Sequence, residues 1–336
     1  MSWPHASWST SDAVAATPPT PLDGAIATLR ETTELSDDRL AALFESAFVE
    51  TYRRVVDDDG SIHARVDLFT GSCRLYRRGP GGEEIAVEVD VPDFPRQAAQ
   101  AARSAVATAL REAGKDRVLR EASLHRGELI DTIADRRAGP VWYLRTADLR
   151  VLLPPEEQIT GEELVPGQHV KVMVLEGRRR SQDAVVVVSR SHPQLLRLLL
   201  EQEVPEVANG QVLVRGIVRE AGRRSKVAVE AADPAVDARG ACIGPRGVRH
   251  QAITSVLGQE QVQIVVWSAD TATYIANALA PATVSRVDLD EESRTATVTV
   301  DADQLSLAIG RGGDNARLVA RLCSWRIDVV AGEPPA

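Results

Sequence analysis

Two stretches of this chain repeat each other at an offset of 66 residues: Cys242-Ile243-Gly244-Pro245-Arg246-Gly247-Val248-Arg249 and Ala308-Ile309-Gly310-Arg311-Gly312-Gly313-Asp314-Asn315. The surroundings repeat as well. An apolar helical pattern (195–200; 274–279) precedes two strand patterns (212–218 and 226–230; 284–289 and 295–300). A short helix, the Gly-x-x-Gly turn, a second helix (248–257; 315–322) and a last strand (262–266; 326–330) complete each unit. A unit that recurs with its element order intact commits this part of the chain to two copies of one α+β fold.

The order α-β-β-α-α-β with Gly-x-x-Gly between the two middle helices is that of the bacterial (type II) KH module. Glycine in such a turn permits positive φ and lets the backbone come close to a sugar-phosphate chain. The exposed N–H groups and the following helix N-terminus favour an anion, so the turn can clamp about four single-stranded nucleotides. The candidate RNA-binding residues are Gly244, Pro245, Arg246, Gly247 and Arg249 in the first copy, and Gly310, Arg311, Gly312, Gly313 and Arg317 in the second. A lone Gly-x-x-Gly is common in ordinary helix turns, and it is the duplication, with an arginine between each pair of glycines, that points to RNA. Asp314 beside the second turn makes that copy the weaker site.

Net charge is −9 over 336 residues, which taken whole argues against nucleic acid. Divided along the chain it is −7 for residues 1–110, +1 for 111–190, +1 for 191–267 and −4 for 268–336. The middle is neutral to basic, and almost every cation is arginine, which suits phosphate but equally follows from a GC-rich genome and so carries little weight.

Residues 1–21, rich in Ser, Thr, Ala and Pro, read as a disordered extension. From Ser36 an amphipathic helix runs to the Asp57-Asp58-Asp59-Gly60 turn, followed by two alternating strands, 62–68 and 85–91. An alanine-rich helix from Pro95 to Ala113 continues through 115–124 as a connector. Five β runs then crowd into 125–190, around 128–133, 141–144, 150–153, 170–175 and 184–188. They suggest a small barrel, with the OB-fold the leading candidate and a small open sheet the alternative. The expected organisation is therefore multidomain α+β: an extension 1–21, a head with connector helix 22–124, a barrel 125–190, and KH modules 191–267 and 268–336. The link from Trp267 to Thr271 is too short for the two modules to tumble apart.

No enzyme motif stands out. The second turn lacks the Lys-Ser/Thr of a P-loop, and the six histidines and three cysteines (Cys73, Cys242, Cys323) have no ligand spacing. No catalytic residue, metal or cofactor is expected, and the cysteines read as buried free thiols of a reducing compartment. No apolar run reaches membrane-spanning length and the start shows no secretory pattern. A cytoplasmic monomer is expected.

Longer strings closely resemble the NusA family of bacterial transcription factors: Ser189-Arg190-Ser191-His192-Pro193 with the leucine-rich stretch after it, Gly240-Ala241-Cys242-Ile243-Gly244-Pro245-Arg246-Gly247, Asn277-Ala278-Leu279-Ala280-Pro281-Ala282, Gln304-Leu305-Ser306-Leu307-Ala308-Ile309-Gly310 and Ser324-Trp325-Arg326-Ile327. A looser likeness covers 22–336, where Leu152-Leu153-Pro154-Pro155-Glu156-Glu157-Gln158 looks like the end of the family's S-one-type OB barrel and Ala98-Ala99-Gln100-Ala101-Ala102-Arg103 like the helix closing its head. The resemblance implies an elongation factor whose head, residues 22–124, binds RNA polymerase. Its barrel and KH pair would hold nascent single-stranded RNA, modulating pausing, intrinsic termination and antitermination, alongside other elongation or antitermination factors. A general single-stranded RNA-binding, chaperone or ribosome-associated KH protein is the alternative. The barrel is the least family-like part, with Ala138-Gly139-Pro140 as an abrupt connection, Ala147 where a glycine turn would stand, and Trp142 and Tyr143 able either to stack on bases or to pack in the core. No acidic repeats follow the second KH module, so regulation through such a segment is not expected.

Overall fold

A computed structural model describes residues 36–56, 62–68, 70, 72–79, 81–89, 92–147, 149–258 and 260–332, with Pro95 by its backbone only. The extension 1–21 and the 57–60 turn lie outside the described residues. By internal contact the chain divides into two compact units that meet at Lys115 and Asp116.

In the first unit α1 (Asp37–Val56) starts where the Ser36 carbonyl accepts from the Leu40 N–H at 3.0 Å, and Asp37 and Asp38 sit in its first turn. Its buried stripe is Leu40, Phe44, Ala47, Phe48 and Tyr52. An antiparallel sheet β1-β2-β3 follows, made of Ile62–Val66, Cys73–Arg78 and Glu84–Val87. The middle strand β2 was not expected. Its sequence CRLYRR buries only Leu75, and three arginines hide the alternation. The outer strands are shorter than expected, ending at Val66 and Val87. α2 (Phe94–Leu124) is one helix, unbroken at Gly114. Phe94 meets Phe48 and Tyr52 edge-on at 6.3 and 6.2 Å, and Ala98, Ala99, Ala102 and Val106 complete this core.

In the second unit β4 (Leu129–Ala138), β5 (Val141–Arg145), β6 (Arg150–Leu153), β7 (His169–Arg179) and β8 (Ala184–Ser189) form a closed barrel in the order β4-β5-β6-β8-β7. The open-sheet alternative is thereby set aside. Trp142, Leu144, Val151, Leu153, Val172, Val174 and Val188 fill the barrel, and Val118 and Ala122 from the end of α2 pack against it. Gly177 makes that contact possible, because a Cβ there would lie 2.9 Å from Leu119 Cδ2.

The first repeat module comprises α3 (Pro193–Glu203), α4 (Pro205–Ala208), β9 (Val212–Glu220), β10 (Arg224–Ala231), α5 (Ala238–Ile243), α6 (Val248–Val256) and β11 (Gln261–Val266). The second comprises α7 (Thr271–Leu279), β12 (Val284–Asp290), β13 (Thr295–Val300), α8 (Leu305–Ile309), α9 (Asp314–Cys323) and β14 (Arg326–Ala331). In each the central strand pairs antiparallel with the first and parallel with the last. The modules pack on one another: Ala228 and Val265 of the first sheet are buried with Tyr274, Ile275 and Ala278 of α7. Lys226, also buried, donates to the Ala278 carbonyl at 2.7 Å and to the Gln263 side chain. The expectation of a docked pair thus has a physical basis beyond the short link.

Candidate nucleic-acid interface

The two Gly-x-x-Gly turns have one backbone conformation. Gly244 and Gly310 lie at φ/ψ 73°/170° and 75°/174°, a region almost closed to other residues. Arg246 (53°/22°) matches Gly312 (61°/22°), and Gly247 (78°/12°) matches Gly313 (81°/9°). Three left-handed or extended-positive positions thus recur in each turn, and in the first copy one of them is held by an arginine. That costs about 1–2 kcal/mol for a residue with a Cβ.

The close approach that excludes a side chain at the first glycine comes from the chain itself. A Cβ on Gly244 would lie 2.7 Å from Arg249 Cγ, and one on Gly310 would lie 2.8 Å from the Asn315 backbone nitrogen. Residues five positions after the first glycine therefore press the turn against the preceding helix. Arg249 Nη1 donates to the Ala241 carbonyl and to Glu206 Oε2, both at 2.7 Å. Asn315 Nδ2, buried, donates to the Ala308 carbonyl at 2.9 Å and to the Leu279 carbonyl at 3.2 Å. Each closes the carbonyl end of the helix before the turn, which would otherwise lack donors. The shared signal, a side-chain donor at that offset in both copies, is visible in the sequence but meaningful only with the turn in view.

The ten candidate residues thus divide. Arg246 and Arg311 are exposed and make no ion pair or side-chain hydrogen bond among the described residues. Arg249 was expected to face phosphate; here its guanidinium is engaged by Glu206 and Ala241, because α4 brings a carboxylate alongside it. Glu206 has its carboxyl held below the usual range, first by its own backbone N–H and then, against some desolvation, by Arg249. Arg317 donates to the Gly312 carbonyl at 2.9 Å and stands 3.4 Å from Asp314, so it braces the second turn. Asp314, the acid beside that turn, receives Arg223 Nη2 from the first module at 2.9 Å. Pro245 occupies the first x position, where its fixed φ preorganises the turn.

Beside the second turn a cleft of about 400 Å³ runs between the two modules, lined by Gln261, Gln263, Pro281, Leu307 and Arg311. Leu307 and, after the first turn, Val248 are large apolar side chains left exposed. Exposed guanidinium next to exposed aliphatic surface suits a phosphate and an unstacked base together.

In the barrel Trp142 is buried in the core, so the packing alternative describes it. Tyr143 is half-buried, and the Arg136 guanidinium lies over its ring at 4.5 Å. The thiols of Cys73 and Cys323 are pushed up to about 12 and that of Cys242 to about 11, in each case chiefly by burial. They remain protonated and poorly nucleophilic near neutrality. Among the described residues no cluster of three or more side chains could hold a metal, and no helix is long and apolar enough to cross a membrane.

Family models for the NusA-like first and second KH domains match residues 190–267 and 271–334. The chain is 34% identical over 330 residues to the transcription termination/antitermination protein NusA of Bacillus subtilis, covering 91% of this chain and 89% of that one. It is 36% identical to NusA of Mycobacterium tuberculosis, covering 90% of each, and 40% identical to NusA of Thermus thermophilus, covering 73% of this chain and 64% of that one. Among solved structures, the N-terminal domain of NusA from B. subtilis matches with a TM-score of 0.24 at 23% identity, covering 28% of this chain and 97% of that one.

Proposed function

The chain belongs to the NusA family of transcription termination/antitermination proteins, and from that footing we propose a non-enzymatic elongation factor that binds nascent single-stranded RNA and RNA polymerase. The observation that carries the RNA side is the duplicated turn: one positive-φ backbone conformation, twice, each with an exposed arginine free to meet phosphate. We assign Gly244 to Gly247 and Gly310 to Gly313 as the two phosphate clamps, with Arg246 and Arg311 as their cations. Arg249 and Arg317 hold the clamps in shape. Four folded modules are proposed, the head 22–124, an OB-fold barrel of the S-one type at 125–190, and KH modules at 191–267 and 268–336, after an extension 1–21. Five barrel strands in the order β4-β5-β6-β8-β7 support the OB assignment. The acidic head is proposed to meet RNA polymerase as a monomer in the cytoplasm, with other elongation or antitermination factors as further partners.

The test is RNA binding by Arg246→Asp and Arg311→Asp. A charge-assisted contact contributes about 1.5–3 kcal/mol, so Arg246→Asp should weaken single-stranded RNA binding about tenfold or more. Arg311→Asp should cost less, because its module is the more acidic. Wild-type binding by both variants refutes the clamps. For the polymerase side, a chain beginning at Asp116 keeps Val118 and Ala122 for the barrel core. It should bind RNA but neither co-purify with polymerase nor lengthen pauses; retained pausing activity overturns that division of labour.

A further inference from the structure

The second turn is flanked by an acid where the first is not. At the residue after the last glycine the first copy has Val248 and the second has Asp314. A carboxylate at the first position of α9 suits the helix dipole but repels a phosphate approaching the same N–H groups. Arg223, in the turn between β9 and β10 of the first module, reaches across and donates to Asp314 Oδ2 at 2.9 Å. Arg317 stands on the other oxygen at 3.4 Å. Asp314 is largely shielded from solvent, whereas the Arg223 side chain is 63% exposed. Glu220 lies 3.7 Å from Arg223 and 3.6 Å from Arg321, so the patch holds Arg223, Arg317 and Arg321 against Glu220 and Asp314, with Arg311 alongside on the turn. Removing Arg223 leaves the paired residues of the patch neutral, with Arg317 and Arg321 against Glu220 and Asp314, and takes away the cation that lies closest to Asp314.

We propose that Arg223 is a positioning residue for the second clamp: the first module supplies the cation that cancels Asp314 and lets the second turn accept an RNA phosphate. The inference rests on the clamps proposed above. It makes the second clamp a composite of both modules, complete only while they are docked, whereas the first clamp stands alone.

The test uses the full-length chain and a labelled single-stranded RNA of about 12 nucleotides, long enough for two clamps of about four each. Arg223→Gln should raise Kd about threefold to tenfold at low salt, the range expected when one nearby cation is lost. Arg223→Gln combined with Asp314→Asn should bind like Asp314→Asn alone, because the charge that Arg223 cancels is gone. Thermal melts check that each variant is folded. If Arg223→Gln binds as wild type while Arg311→Gln is weakened, the proposal is overturned and the clamps stand. If the Asp314 replacement fails to rescue Arg223→Gln, Arg223 acts only by docking the modules, and the proposal is likewise overturned. If Arg246→Gln and Arg311→Gln both bind as wild type, the clamps fall and this inference with them.

Discussion

Arg246 holds a backbone conformation that its own repeat partner, Gly312, fills without strain, and replacing it with glycine separates structural from functional demands on the turn. At φ 53° and ψ 22° a residue with a Cβ pays about 1–2 kcal/mol. Glycine there removes that strain but gives back about 0.5–1 kcal/mol through the freer unfolded chain. The net expectation for Arg246→Gly is a gain of about 0.5–1 kcal/mol, with no side-chain bond lost among the described residues. For a unit the size of residues 116–336 this corresponds to a rise in Tm of about 1–4 °C. RNA affinity should fall at the same time, and the salt dependence of binding should flatten by about 0.7 in log–log slope for one lost phosphate contact. Arg246→Ala is the control, since it removes the guanidinium and keeps the strain: affinity should drop alike and Tm should stay put. Differential scanning fluorimetry and fluorescence anisotropy across a salt series read both quantities. A Tm for Arg246→Gly at or below that of Arg246→Ala would refute the strain argument, and an unchanged salt slope would refute the phosphate contact.

Gly310→Ala should destabilise the second module by about 3 kcal/mol or more, because the backbone is nearly glycine-only and the new Cβ would press on the Asn315 nitrogen at 2.8 Å; urea melts read it. Glu260→Gln should cost about 3–5 kcal/mol by leaving Arg219 buried without its carboxylate, while replacing both residues with methionine should cost less. Lys226 is held down to about 8 by burial and then by Arg224, so between pH 8 and 10.5 the unfolded chain binds a proton that the folded one does not. Stability from this group therefore rises with pH across that window, by roughly 3 kcal/mol, and is lost as pH falls through 8. The wild-type curve should climb against that of Lys226→Met over the same range, and parallel curves would refute the assignment.

What could be read from the sequence was what local chemistry dictates. Glycine at 244, 247, 310 and 313 announces positive φ before any contact is known, and the alternating valines at 170–174 and the unbroken valine run at 185–188 announce barrel strands. What could not be read depended on partners far along the chain. Arg249 and Glu206 are 43 residues apart and Arg223 and Asp314 are 91, so an arginine beside a phosphate turn looked the same whether it was free or engaged. β2 was hidden for a related reason: Arg74 and Arg78 lie on its solvent-facing side, but Arg77 falls on the same side as Leu75 and breaks the apolar alternation, so a single inward Leu75 is too weak a signal. Trp142 could be assigned only once the barrel was seen to close around it.

The two modules are repeats in fold but not in how they stack, and the register of their sheets says why. Counting along each parallel strand pair, Lys226 and Gln263 of the first sheet correspond to Thr297 and Asp328 of the second, and Ala228 and Val265 to Thr299 and Val330. The first set faces the second module: Lys226, Ala228 and Val265 are buried, and Gln263 donates to the Ala280 carbonyl at 2.5 Å. In the second set Thr297 and Thr299 are half-buried, and Asp328 and Val330 are exposed. Stacking a further module there would bury hydroxyl and carboxylate groups in place of alanine and valine, at a cost that small side chains cannot recover by packing. Docking is therefore one-directional, with α7 filling the back of the first sheet and the back of the second left polar. A one-sided interface closed by buried hydrogen bonds from Lys226 and Gln263 also fixes the distance between the two turns. With the two turns acting as the clamps proposed above, loosening the interface at Lys226 should weaken binding to RNA that spans both clamps more than to RNA of about four nucleotides, which one clamp can hold.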